Sequence, residues 1–249
     1  MKCIINADDL GLSQEVNDAI SDALSRGIIT SSTILANTTL WDDVCDIVAS
    51  FPNASFGVHL NLTQGLALTD SAVFRKYGLV DGNNCFTREI KKVKSLPNEL
   101  FSALVEELDA QVKMIASKGI AISHADGHHH VHTSSALAAV VLDVIRRNGI
   151  TVIRNRYKSP THFPHYGIKD YLWRKSFEFR GIKFTDFFDS YSGFVSKLQK
   201  GEKYSESSTI ELMCHPGGEK YKDEMLLVAE QTAGHLLSNV QYVSYKDLK

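Results

Sequence analysis

Five of the ten histidines and one carboxylate fall within nine residues, His124-Ala125-Asp126-Gly127-His128-His129-His130-Val131-His132. Imidazoles at that density are costly to bury unless something binds them, and a divalent metal ion is the usual partner. An acidic cluster, Asn6-Ala7-Asp8-Asp9, follows the first strand-like segment more than a hundred residues upstream. Together they point to a composite metal site. The geometry within the histidine run stays open: extended backbone puts His124, Asp126, His128 and His130 on one face, whereas a helical turn after Gly127 stacks His128 and His132. His128 belongs to either set and is the first choice of ligand. The others are candidates for substrate contacts or for partners that orient the ligands.

The elements that must position these groups alternate between β-branched segments and amphipathic helices, the pattern of a parallel sheet or barrel covered by helices. Strands are predicted at Lys2 to Asn6, Thr33 to Ala36, Phe56 to Thr63, Ala121 to His124, Ile150 to Ile153, Ile182 to Phe187, Thr209 to Met213 and Val240 to Tyr245. Ser13 caps a helix carrying Val16, Ala19, Ile20, Ala23 and Leu24, which Gly27 stops. Further helices run from Trp41 to before Pro52, from Pro97 to Lys118, from Ser134 to Asn148 and through Leu226, Leu227 and Ala229. The strand at Phe56 alternates most clearly: Phe56, Val58, Leu60 and Leu62 point one way, and Gly57, His59, Asn61 and Thr63 the other. In a barrel the polar row lines the lumen, so His59 points inward.

Residues 64–95 lack a clear period and read as a long insertion above the sheet, suited to a substrate lid or an oligomer contact. Residues 157–180 are rich in aromatic and polar types, among them Tyr157, His162, Phe163, His165, Tyr166, Tyr171, Trp173 and Arg174; either a sugar-stacking wall or surface packing fits them. No repeat or linker is evident, and one domain over 1–249 is expected.

Asp8 and Asp9, His128, and His215 in Cys214-His215-Pro216-Gly217-Gly218 each follow the carboxyl end of a predicted strand, and His59 sits on a strand's polar face. In open α/β sheets and β/α barrels that edge is where ligands bind. Singly, each has a plainer explanation. Adjacent aspartates form turns or cap helices, a lone strand histidine is often a hydrogen-bonded core residue, and His215 before Pro-Gly suits a turn.

The 249 residues are 43% hydrophobic with a formal charge of -2. That is ample for a core, and without a basic field neither nucleic acid nor an anionic membrane is an expected partner. No apolar run is long enough to span a bilayer, and Met1-Lys2-Cys3-Ile4-Ile5 enters an apolar segment with no leader pattern, so a cytoplasmic location is expected. Cys3, Cys45, Cys85 and Cys214 are scattered and read as buried, reduced thiols.

Asn6-Ala7-Asp8-Asp9-Leu10-Gly11 resembles an NADDFG motif, Gly57 to Thr63 resembles GxHxxLT, His124 to His132 resembles HxDSHxHVH, and Met213-Cys214-His215-Pro216-Gly217 resembles a late CHPG motif. These four, in this order, resemble the YdjC-like carbohydrate deacetylases, which include the chitooligosaccharide deacetylases. Leu10 stands where Phe is usual and Gly127 where Ser is usual; the second affects a turn or a hydrogen bond without removing a ligand. The resemblance implies an α/β fold, a deformed (β/α) barrel of about seven strands like that of polysaccharide deacetylases, often a homodimer. It implies Asp9, His59 and His128 as metal ligands, Asp8 as general base and His215 as general acid. Asn61, His124, Asp126, His130 and His132 remain candidates for supporting roles. Arg154 and Arg156 follow the fifth strand; related deacetylases orient the catalytic aspartate with an arginine, and surface salt bridges are the plainer reading. Two imidazoles and a carboxylate suit Zn2+, whereas the family expectation is Mg2+. The function expected is hydrolysis of the acetyl group from an N-acetylated sugar, a short chitin-derived oligosaccharide or its phosphate. A phosphoesterase or amidohydrolase using the same rim, or a non-catalytic sugar-binding protein, are the alternatives.

Overall fold

A computed structural model describes residues 1–156, 168–236 and 239–248. The chain runs β1 (Lys2–Leu10), α1 (Gln14–Ser25), β2 (Ser31–Ile34), α2 (Trp41–Ser50), β3 (Ser55–Leu60), α3 (Ala72–Lys76), α4 (Asn98–Ser117), β4 (Ala125–Gly127) and α5 (Ala138–Arg147). It continues through α6 (Ile168–Glu178), β5 (Phe187–Ser190), α7 (Tyr191–Gln199), β6 (Thr209–Cys214), α8 (Lys222–Ala229), α9 (Thr232–Leu236) and β7 (Gln241–Tyr242). Local chemistry explains the boundaries: Ser13 accepts a hydrogen bond from the Val16 amide at the start of α1, and Ser190 does the same for Gly193 at α7.

All strand pairings among these seven strands are parallel, in the order β4-β3-β2-β1-β6-β5, with β7 pairing the start of β1. Parallel bridges join Ala125 to Ile153 and Val152 to Lys183, and the chain from Lys183 runs on into β5. The path therefore curls back on itself as the deformed barrel that the family resemblance implies, one of the two outcomes the alternating pattern allows. Residues at alternate positions face the lumen: Ile4, Asn6 and Asp8 on β1, opposite Glu211 and Met213 on β6. Ile4, Val152, Val243 and Tyr245 pack as a separate apolar cluster at one end, while the main core lies between strands and helices. The barrel is plugged with hydrocarbon at its amino end and polar toward its carboxyl end.

Several boundaries differ from the sequence reading. The fourth strand is Ala125–Gly127, not Ala121 to His124, because the ladder with β3 places His59 opposite Asp126 inside the histidine run; residues before it contribute only the Ser123 and His124 bonds to Phe56 and Val58. Ile150 to Ile153 makes isolated bridges rather than a ladder, and the strand expected over Ile182 to Phe187 begins at Phe187. β3 stops at Leu60, so Asn61 to Thr63 lie in a turn. Only Gln241–Tyr242 of the last predicted strand pairs. The segment 64–95 is more regular than expected, with α3, a 3-10 turn at Arg88–Lys92, bridges Leu66 to Cys85 and Val80 to Phe86, and buried Phe74, Leu79 and Ile90. Cys45 and Cys85 are half-buried rather than buried. Trp173 is buried against Phe177 and Phe184, which removes it from a sugar-stacking wall, and Tyr157, His162, Phe163, His165 and Tyr166 lie outside the described residues. Among the described residues no helix is long and apolar enough to cross a membrane.

Candidate active site

Neighbouring residues of a strand point to opposite faces, so Asp8 and Asp9 should not serve one site. A register shift between Ala7 and Leu10, with Asp9 at φ +74°, breaks that rule. The bulge leaves Asp8 buried in the lumen and turns Asp9 onto the rim, 14% of its side chain exposed. Asp9 Oδ1 then lies 3.2 Å from His59 Nε2 and 2.8 Å from His128 Nδ1. Ligand atoms of Asp9, His59 and His128 all fall within 4.8 Å of one another.

The opposite nitrogen of each imidazole fits a metal-binding role. His59 Nδ1 is 2.6 Å from Asp126 Oδ1 and 3.1 Å from the Thr33 hydroxyl, and His128 Nε2 is 3.2 Å from Gln64 Oε1. A carboxylate or amide oxygen behind one nitrogen fixes the tautomer that leaves the other lone pair free, as metal-ligating histidines require. The donor set of two imidazoles and one carboxylate therefore fits a divalent ion. Asp8, His59 and Asp126 form a second group of similar dimensions, but Arg154 already bonds both of its carboxylates.

Arg154 is fully buried. It donates from Nη1 and Nη2 to both oxygens of Asp8 at 2.8 and 2.6 Å, from Nη2 to Asp126 at 2.9 Å and from Nε to Glu211 at 2.6 Å. One fork thus joins three carboxylates, a geometry lysine cannot reproduce. Burial alone would raise the Asp8 carboxyl, but the charge and hydrogen bonds of Arg154 hold it well below the usual carboxylate range. Asp9 is likewise held down, against burial, by His128 and His59. His59 is pushed up to about 10, against burial, chiefly by Asp126.

Glu211 goes the other way. Burial, reinforced by Asp126 and Asp8, pushes its carboxyl from 4.5 up to about 7 in spite of Arg154. Between those values the folded chain holds a proton that the unfolded chain has lost, so this group's contribution to stability falls as pH rises through that window. Glu211→Gln should therefore gain stability relative to the parent chain from pH 4.5 to 7, by up to about 3 kcal/mol. Urea unfolding of both chains across that range checks this, and a pH-independent difference would refute it.

His215 follows β6, with Nε2 4.0 Å from Asp8 Oδ2. Its ring stacks on Tyr221 at 4.1 Å. Together with Asp8, Asp9, His59 and His128 it lines a cleft of about 970 Å³ at the carboxyl ends of the strands.

The remaining sequence candidates separate by position. His130 lines the cleft. Asn61 is buried beneath it, its side chain bonding Thr63, Gln64 and Asn37, and so shapes the turn that brings Gln64 to His128. His124 is buried between Tyr245, stacked at 3.6 Å, and Gly57, where a Cβ would lie 2.6 Å from the ring; both it and His132 are held well below the ordinary histidine value, first by burial. Arg156 stays outside the cleft, its guanidinium over Trp173 and Nη1 3.4 Å from Ser135. Neither an extended face nor one helical turn describes the histidine run: β4 ends at Gly127, and His129 and His130 adopt φ +52° and +60°. A Cβ at Gly127 would meet Val131 Cγ2 at 2.9 Å, so a serine there requires the Val131 side chain to shift. Sequence reasoning missed Gln64, Thr33, Glu211 and Glu224. Glu211 alone carried a signal, a charge in the middle of an apolar strand.

Parallel strands curled into a barrel, with carboxylates and imidazoles gathered at their carboxyl ends, define a β/α-barrel protein of the enzyme type. The family described as YdjC-like protein matches residues 2–247, and this chain belongs to that family. A carbohydrate deacetylase of Halalkalibacterium halodurans is 32% identical over 231 residues, covering 91% of this chain and 88% of the relative. One of Vibrio campbellii is 32% identical over 218 residues, covering 87% and 78%. A solved structure from Enterococcus faecalis, described as a candidate cellobiose-phosphate cleavage protein, superposes with TM-score 0.76 at 21% identity, covering 99% of this chain and 98% of that one, and supports the fold.

Proposed function

We propose that this chain is a divalent-metal-dependent hydrolase that removes the acetyl group from N-acetylated sugars, chitin-derived oligosaccharides or their phosphates. The observation that carries the reading is the convergence of Asp9 Oδ1, His59 Nε2 and His128 Nδ1 beside an Asp8 held by Arg154 and faced by His215. Relatives that cover most of this chain are carbohydrate deacetylases, which supports the same reading. Asp9, His59 and His128 would hold the ion, Zn2+ or Mg2+, which supplies Lewis acidity toward the acetyl carbonyl and the attacking water. Asp8 takes a proton from that water. His215 delivers a proton to the amine nitrogen as the C–N bond breaks, leaving acetate and a free amino sugar. Asp126 and Gln64 orient the two imidazoles, and Arg154 orients Asp8.

Arg88 and Lys91 stand on one wall of the cleft and Lys220 also lines it. The charges of Lys91 and Arg88 reach inward, contributing after burial and His128 to a His129 value lowered to about 4. That field suits a phosphorylated sugar. The same reading takes the chain as cytoplasmic and homodimeric; light scattering of the purified protein measures the second.

The test is acetate release from acetylated chitobiose, its 6-phosphate and longer oligomers, with and without chelator and after re-addition of Zn2+ or Mg2+. Release lost on chelation and restored by metal is the expected result. No acetate from any acetylated sugar, with phosphate released from a phosphoester instead, overturns the reading. In the same assay Arg88→Ala with Lys91→Ala should raise KM for the phosphorylated sugar by about tenfold to a hundredfold, the range that a single lost charged contact of about 1.5–3 kcal/mol already gives. KM for the unphosphorylated sugar should hardly change.

A further inference from the structure

The geometry points to Glu224 of α8 as the positioning residue of the proton donor His215, fixing its ring through Nδ1 so that Nε2 faces the reacting nitrogen. The inference rests on the deacetylase reading for the role of His215, while the contact itself stands independently. Glu224 Oε2 lies 3.6 Å from His215 Nδ1, and both atoms are buried without another hydrogen-bond partner. Two complementary polar atoms buried face to face and otherwise unpaired are a costly arrangement unless they serve each other. The spacing is at the loose end expected of a catalytic pair before substrate binds, since such contacts tighten in the complex.

Glu224 is itself anchored. Its Oε1 accepts hydrogen bonds from the Ser192 hydroxyl at 3.0 Å and the Ser192 amide at 3.4 Å, in the first turn of α7. The positive end of that helix favours a carboxylate there. Tyr221 covers one face of the imidazole, its ring nearly parallel at 13°. The His215 ring is thus held on one face and behind Nδ1, leaving Nε2 directed toward Asp8 across the cleft. A carboxylate behind Nδ1 selects the orientation with hydrogen on Nδ1, which leaves Nε2 facing the cleft. Metal binding does not require such an arrangement; protonation of a poor leaving group does. An amine must be protonated to depart, whereas an aryl oxide departs without a proton.

Leaving-group dependence separates this role from a merely structural one. Glu224→Gln is assayed on an acetylated sugar and on an aryl acetate, beside the parent chain and His215→Ala. The expected result is a fall in kcat on the amide of about 10²-fold, KM changed little, and an aryl ester rate within about threefold of the parent. His215→Ala should show the same split. An unchanged amide rate, or equal losses on amide and ester, overturns the inference. Nitrogen-15 spectra of the imidazoles give a second readout independent of turnover: hydrogen on Nδ1 of His215 in the parent and its loss in Glu224→Gln support the contact, and identical spectra overturn it. If no sugar is deacetylated, the deacetylase reading fails and the spectra still decide the role of Glu224. Should Glu224→Gln not fold, Ser192→Ala loosens the same carboxylate and should shift both readouts in the same direction by less.

Discussion

Asp8→Asn is expected to cut acetate release by about 10²-fold to 10⁴-fold, the usual value of a positioned general base. Asparagine keeps the shape and one acceptor oxygen, so Asn6 Nδ2, 2.9 Å from Asp8 Oδ1, and one arm of Arg154 retain partners. The sharper expectation comes from the charge. Burial would raise the Asp8 carboxyl, but Arg154 holds it well below the usual range, so Asp8 is ionised at every ordinary pH and is correspondingly a weak base. A base that weak takes a proton from water only if the water's own acidity is raised. Loss of the ion and loss of Asp8 should then disable one unit, and the combined loss should be far smaller than the product of the two. Acetate release by the parent chain and by Asp8→Asn, each with and without chelator, tests this. Two losses that multiply would mean that Asp8 acts without the metal.

What the residues alone revealed follows from how local each signal is. Helix α1 was legible because Ser13, an apolar stripe and Gly27 all lie within one stretch of chain. The rim was legible because Asp8, Asp9, His128 and His215 each follow a strand-like segment. The bulge at Asp9 was not, since its cause is the pairing of β1 with both β2 and β6 and the placement of His59 and His128 against its carboxylate. The start of β4 was misplaced for a similar reason. Ala121 to Ser123 has the composition of a strand, yet the His59 to Asp126 hydrogen bond draws the paired segment into the histidine run. Glu224 was missed as a functional residue because a glutamate on an exposed-looking helix becomes unusual only when its burial and partners are known, whereas Glu211, a charge within an apolar strand, signals burial but not which partner it takes. Arg154 illustrates the limit best, because the resemblance proposed a partner for the catalytic aspartate but offered Arg154 and Arg156 equally. Only the fold separates the one in the lumen from the one over Trp173.

Arg154→Met is expected to be the most destabilising substitution in the barrel, by about 3–5 kcal/mol or more. Methionine fills much of the arginine's volume, so the cost is electrostatic. Asp8, Asp126 and Glu211 would be left buried around an apolar side chain, each having lost its contact with the guanidinium. Against a typical total of about 5–15 kcal/mol, that loss brings the chain near the unfolding threshold. The three carboxylates would not suffer equally. Glu211, already raised to about 7, can take up a proton near neutral pH, whereas Asp8 and Asp126 also face the histidines of the rim. Adding Glu211→Gln to Arg154→Met should therefore recover part of the lost stability, and lowering the pH toward 6 should recover a similar part in the single variant. Arg154→Lys separates charge from shape. A single ammonium can neutralise the cluster but cannot donate to both Asp8 oxygens while reaching Glu211, so the chain should unfold at a denaturant concentration closer to the parent's while losing turnover. Urea unfolding of the four chains, with acetate release measured on those that fold, decides the matter. If Arg154→Met unfolds with the parent, the three carboxylates are held by something other than this cation.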